Sequence, residues 1–117
     1  MSRFTNLHVW HQARQLIKIV SSVTADMRTE GDLKAQMRRA AISVASNIAE
    51  GSERGSDRDF LRFLAIANAS AAEVEAQAII AGDCDCLSEQ HATSIADQAR
   101  VAGRMLNRLM ARVGGSG

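Results

Sequence analysis

A chain of 117 residues with a net charge of +1 is sized for one domain with a real core, and gives no whole-chain electrostatic argument for nucleic acid. It contains no proline and only four aromatic residues, Phe4, Trp10, Phe60 and Phe63, which argues against a sheet-rich fold. Alanine is abundant, and glycine falls more often at segment ends than inside segments, so the composition favours helix.

The first helix is expected over 7–24, where Leu7, Trp10, Ala13, Ile17 and Val20 recur at helical spacing and Asn6 precedes them as an N-cap. A loop over 28–32 follows, with Asp32 placed to cap the next helix. The second helix is expected over 33–50. Its stripe is Leu33, Met37, Ala40, Ala41, Val44 and Ile48, and Ile42, Ala45 and Ala49 add an apolar flank. Gly51 suits the left-handed position that ends a helix.

The third helix is expected over 57–81. Ser56 is its N-cap, with Asp59 three residues on, close to a capping box. One stripe is Phe60, Phe63, Leu64, Ala67, Ala71, Val74 and Ala78. A second stripe, Ala65, Ala69, Ala72 and Ala76, lies on nearly the opposite side. Alanine there is either a good surface helix former or a sign that this helix touches partners on two sides, as in an oligomer. The fourth helix is expected over 89–113, capped by Ser88, with a stripe of Ala92, Ile95, Ala99, Ala102, Leu106, Leu109 and Val113. Residues 1–113 then form one domain, and 114–117 read as a flexible tail. The fold class that follows is all-α: an antiparallel up-down-up-down four-helix bundle.

No apolar run approaches the ~20 residues that span a bilayer, and the N-terminus lacks a secretory signal pattern. Cys84 and Cys86 are too close in sequence for a structural disulfide and fit a reducing compartment. A cytoplasmic protein without a membrane partner is the expectation.

The charge is segregated. From Phe63 to Ala99 there are six acids and no lysine or arginine; beyond Ala99 come Arg100, Arg104, Arg108 and Arg112 and no acid. Steps of four place these arginines along one helix face. A solvated face is the plainer reading. The alternative is a ridge that contacts phosphates, extended by Arg58 and Arg62, binding through salt-sensitive electrostatics without base stacking.

Other constellations are weaker. His8 and His11 stand three apart without a third ligand nearby, and Cys84, Cys86 and His91 lack the companion pair of a closed metal site. Ser43, Ser46, Ser52, Ser56 and Ser70 have no adjacent histidine, no nucleophile-elbow motif exists, and the Gly51–Gly55 loop lacks the Walker lysine. No catalytic residue, metal or cofactor is therefore assigned. Asn47 lies at the edge of an apolar stripe, near Ser43 and Glu50, and needs partners there. A structural network with Arg39 or Glu73 is the favoured reading; catalysis by Glu50 and Glu73 has no support.

The stretch RRAAISVASNIAEG over 38–51 resembles the four-helix-bundle proteins encoded within intervening sequences of bacterial 23S ribosomal RNA genes. NLHVW (6–10), DFLRFLAIA (59–67) and ASAAE (69–73) follow in the family's order, and together they cover nearly the whole chain. Accessory proteins of diversity-generating retroelements are related. The usual proline and threonine before the second helix are absent here, and the usual glycine before Ser70 is Ala69. The resemblance implies a homo-oligomer, typically a pentameric ring, without established enzymatic activity. It also implies a role in binding ribosomal RNA or another nucleic acid, or in serving a nucleoprotein partner such as a reverse transcriptase. Its motif residues here are Arg38, Arg39, Asn47, Glu50, Gly51, Arg54, Arg58, Arg62 and Glu73. Arg38, Arg39, Asn47, Glu50 and Glu73 form the structural polar set that the resemblance implies.

Overall fold

Four helices form close to the expected positions: α1 (His8–Thr24), α2 (Leu33–Ser52), α3 (Asp57–Asp83) and α4 (Glu89–Gly115). A short 3-10 turn at Arg3–Asn6 precedes them. The computed structural model describes residues 3–25, 27 and 32–115. The expected loop residues 28–31 and residues 116 and 117 of the expected tail lie outside the described residues, while Gly114 and Gly115, expected in the tail, belong to the last turn of α4.

Each helix packs against its neighbours in sequence, and α1 closes the set against α4. The diagonal pairs, α1 with α3 and α2 with α4, make no such contacts among the described residues. That pattern is an up-down-up-down bundle, drawn out to 47 × 24 × 20 Å. The centre holds Leu16, Val20, Met37, Val44, Ile48, Leu64, Val74, Ile95 and Leu106, all shielded from solvent. In α1 the inward stripe is Val9, Ala13, Leu16 and Val20: Ala13 and Val20 as expected, with Val9 and Leu16 in place of Trp10 and Ile17. Trp10 and Ile17 flank it, half-buried. Two buried hydroxyls are satisfied within their own helices: Thr24 Oγ1 donates to the Val20 carbonyl at 2.6 Å, and Ser52 Oγ to the Ala49 carbonyl at 2.8 Å.

Helix ends show which capping signals act. Ser56 Oγ accepts from the Asp59 amide at 3.2 Å, and Asp57 and Asp59 place acids in the first turn of α3. Ser88 Oγ accepts from the His91 amide at 3.1 Å at the start of α4. Asn6 is not the cap of α1: Leu7 holds that position without a side-chain bond, because the 3-10 turn extends through Asn6. Asp32 does sit at the N-cap of α2, but its side chain makes no capping bond. Gly51 does not end α2 in a left-handed conformation, since the helix runs on to Ser52 and no glycine has positive φ among the described residues. Its role is spatial. A Cβ at Gly51 would lie 2.6 Å from Phe63 Cβ and 3.1 Å from Phe60 Cδ1, so only glycine lets α2 and α3 approach this closely.

The turn between α3 and α4 explains the cysteines. Asp85 has φ 59°, the left-handed conformation that closes a Schellman motif. The Cys86 amide donates to the Ala81 carbonyl at 2.9 Å, and the Asp85 amide to the Gly82 carbonyl at 3.1 Å. Cys86 then packs against the core as the apolar residue of that motif. A non-glycine residue in this conformation carries a steric cost, reduced for aspartate. Asp85→Gly is expected to raise stability by about 0.5–1 kcal/mol, read as a higher denaturation midpoint with unchanged slope.

α3 is more apolar than the sequence reading allowed: it is long and apolar enough, by length and composition, to cross a membrane. Its inner face is nonetheless a core stripe, from Phe60 to Ala81, packed on α2 and α4. The excess lies on the outer face, where Ala65, Ala69, Ala72 and Ala76 are exposed together with Ile66, Ile79 and Ile80.

Candidate nucleic-acid interface

An α-helix turns about 100° per residue, so a step of four advances about 40° beyond a full turn. Four arginines in such steps therefore wind around the helix over about 120°. The geometry of α4 follows this drift. Arg100 faces α3, where its Nε donates to Glu75 Oε2 at 2.7 Å and its Nη1 to Asp97 Oδ1 at 2.7 Å. The hydrogen bond and charge of Glu75, joined by Asp97, push the Arg100 pKa above its ordinary value. Arg108 and Arg112 have rotated to the opposite flank and line a groove with Asn6, Leu7, His8 and Val9 at the start of α1. Arg104 lies between them in the series.

The four arginines thus differ in electrostatic state. Arg100 is neutralised by two carboxylates. Arg104, Arg108 and Arg112 are exposed and have no acidic partner among the described residues. Arg58 is likewise exposed and without an acidic partner, while Arg62 Nε stands 3.8 Å from Asp59 Oδ1. Arg58 and Arg62 line a separate open groove of about 840 Å³ on the α3 side of α4, floored by Leu61, Ala65, Met110 and Val113. The structure therefore puts Arg58, Arg62, Arg108 and Arg112 at the same end of the bundle, on two flanks of α4. Arg100 stands about three turns from Arg112 and belongs to a salt-bridged middle.

Aromatic contacts to arginine occur away from α4. The Arg54 and Arg62 guanidinium groups each lie 4.7 Å from the Phe63 ring centroid, and Arg14 lies 5.0 Å from that of Trp10. Phe63 is half-buried between its two arginines instead of fully inside the core. Sequence spacing hides the Arg54 contact, because it crosses from the α2–α3 loop back onto α3.

The polar set separates into pieces. Asn47 Nδ2 donates to the Ser43 carbonyl at 2.8 Å and to Ser43 Oγ at 3.0 Å, not to Arg39 or Glu73. Ser43 Oγ bonds Ser70 Oγ at 2.9 Å across the α2–α3 interface. The Asn47–Ser43 contact is with a neighbour that helical spacing offers, whereas the Ser43–Ser70 link between helices has no signal in the sequence. Glu50 takes Arg54 Nη2 at 2.6 Å, and Glu73 takes Gln77 Nε2 at 3.0 Å. Arg38 Nη2 reaches the Ser21 carbonyl at 3.4 Å on α1. Arg39 and Glu73 line one shallow groove with Ser43 and Ser70 but are not ion-paired. The set does not form one network: the adjacent Arg38 and Arg39 lie about 100° apart around α2, so Arg38 turns toward α1 and Arg39 stands exposed.

His11 Nε2 donates to the Thr5 carbonyl at 2.9 Å in the tautomer whose Nδ1 faces Arg14 Nη1 at 3.4 Å. Cys84 and Cys86 are free thiols, and no group of three or more His, Cys, Asp or Glu residues converges among the described residues.

The fold is shared with a crystal structure of a protein of unknown function from the S23 ribosomal protein family of Bacteroides thetaiotaomicron VPI-5482. The two align with a TM-score of 0.81 at 19% identity, over 87% of this chain and 97% of that one. No curated protein matches the chain. The family model described as 23S rRNA-intervening sequence protein matches residues 5–108, which include all four helices nearly to the end of α4. On that match the chain belongs to the 23S rRNA-intervening sequence protein family.

Proposed function

We propose that this protein is a noncatalytic cytoplasmic bundle that assembles with copies of itself, five in the ring that the family resemblance implies, and presents arginines to structured RNA. The observation that carries the reading is the contrast along α4. Arg100 is consumed by Glu75 and Asp97, whereas Arg104, Arg108 and Arg112 are exposed without an acid. An unpaired guanidinium is the group suited to phosphate oxygens, and repetition in a ring multiplies weak contacts. The test is a titration of structured ribosomal RNA at low and moderate salt. Binding at low salt that weakens as salt rises supports the reading; absence of binding at low salt overturns it.

A second reading has its own observation. The groove between Arg58 and Val113 has an apolar floor of Leu61, Ala65 and Met110 under two arginines, which suits a polypeptide better than a phosphate backbone. On this reading the protein is a scaffold or accessory factor for a nucleoprotein partner such as a reverse transcriptase. A partner that stays bound after nuclease treatment, and is lost on Met110→Glu, supports it.

A further inference from the structure

Among the described residues, the large apolar side chains that stand in water lie on the outer faces of α2 and α3: Ile42 at 49% exposure on α2, and Ile66, Ile79 and Ile80 on α3. Both faces are ordered by charge. Along α2 the exposed row runs Gln36, Arg39, Ile42, Ser46, Glu50, Glu53, basic at its start and acidic at its end. Along α3 it runs Arg58, Arg62, Ala65, Ala69, Ala72, Ala76, Ile79, Asp83, also basic first and acidic last. Two rows of the same polarity are complementary when laid antiparallel. Within one chain these faces point outward, so they cannot cover one another.

We infer that the outer face of α3 packs antiparallel on the outer face of α2 of the next copy of this chain. The inference rests on the self-assembly reading above and specifies its interface. With Ile42 set over Ala72, Ser46 falls beside Ala69, Glu53 comes to Arg62, and Arg39 reaches the Glu73–Ala76 turn. The alanines leave room for the isoleucine and allow close helix approach. Because α2 and α3 are already antiparallel within each chain, this contact keeps all copies pointing the same way. It joins two different faces, so it is heterologous and repeats from copy to copy until it closes. RNA is a poorer occupant, since the faces carry Glu50, Glu53, Glu73 and Asp83 among their apolar residues. A two-fold pairing of α3 on α3 also matches Arg58 with Asp83, but it leaves Ile42 in water. Covering both apolar faces favours the α2–α3 contact.

The experiment uses the full chain carrying Cys84→Ser and Cys86→Ser, which retains only introduced thiols. Sedimentation first measures the mass of the wild-type assembly. Ile42→Cys and Ala72→Cys are then combined in one chain and oxidised by air with a copper catalyst. A disulfide between them requires Cα atoms about 4.4–6.8 Å apart. The expected result is a non-reducing ladder that ends at the sedimentation mass, with neither single variant cross-linking. An assembled protein that gives no ladder overturns this interface and leaves self-assembly standing. Dimers from Ala72→Cys alone overturn it in favour of α3 on α3. A monomeric wild type overturns both the interface and the assembly reading. As a check that needs no cross-link, Ile42→Glu is expected to weaken assembly by about tenfold or more with an unchanged helical spectrum. Assembly unaffected by Ile42→Glu counts against the interface.

Discussion

Replacing Gly51 with alanine lowers the melting temperature, and the same replacement at Gly103 raises it. Both glycines are helical, and intrinsic propensity favours alanine at each by about 1 kcal/mol. The surroundings decide the sign. At Gly51 the new Cβ would meet Phe63 Cβ at 2.6 Å and Phe60 Cδ1 at 3.1 Å. The nearer atom is fixed to the α3 backbone and cannot swing aside, so relief requires the two helices to separate. Overpacking of this kind costs about 1–3 kcal/mol, and the shift also loosens the Phe63 contacts with Arg54 and Arg62. Set against the propensity gain, the net expectation is a loss of about 1 kcal/mol, a fall of roughly 4 °C for a domain of this size. At Gly103 the nearest atom to an added Cβ is Asn68 Oδ1 at 3.5 Å, ordinary contact. There alanine contributes its propensity and restricts the unfolded chain, for a gain of about 0.5–1 kcal/mol. Scanning calorimetry at matched protein concentration checks both, since the self-assembly proposed above would make melting depend on concentration. Equal signs for the two variants would contradict the packing argument.

On the proposed RNA-binding function, reversing Arg104, Arg108 and Arg112 to glutamate removes binding to structured RNA, while Arg100→Gln leaves it within about twofold. The difference follows from the acids already in place. Arg100 is held by Glu75 and Asp97, so its charge adds little to the field that a phosphate meets. The other three have no acidic partner to offset them. Each phosphate contact contributes roughly 0.7–0.9 to the slope of log affinity against log salt, so losing three flattens that slope by roughly 2–3. Electrophoretic shift or anisotropy titrations between low and moderate salt read both quantities. An unchanged slope in the triple variant would remove α4 from the interface.

The helices were legible because their stripes are long and their caps are local. Ser56 and Ser88 read as N-caps in the sequence and cap α3 and α4 through single backbone bonds three residues away. Features that depend on a second element were not legible. Gly51 reads as a helix terminator in isolation; only the approach of Phe60 and Phe63 from α3 reveals it as a packing residue. Ser43 and Ser70 are 27 residues apart, and nothing in either helix announces that their hydroxyls meet. The arginine series was legible as a series, but the division between Arg100 and the rest depends on Glu75, which α3 brings across. Asp85 illustrates the opposite case. Its left-handed conformation is local, yet aspartate in place of glycine leaves the end of α3 without the usual terminator signal.

The order of helix contacts sets where this molecule opens. α3 shares its broadest contacts with α2 and α4, its neighbours in the chain, so those three helices close through loops of only a few residues. α1 has narrower contacts, and its seam with α4 joins residues far apart in sequence, as in the 2.6 Å bond from Gln12 Nε2 to Gln98 Oε1. Low contact order in one part and a single distant closure in the other give a folding reaction that ends with α1 docking. The same seam is the first to fray, so amides of α1 exchange with solvent ahead of those in α3, and a protease reaches the chain there before it reaches the hairpin of α3 and α4.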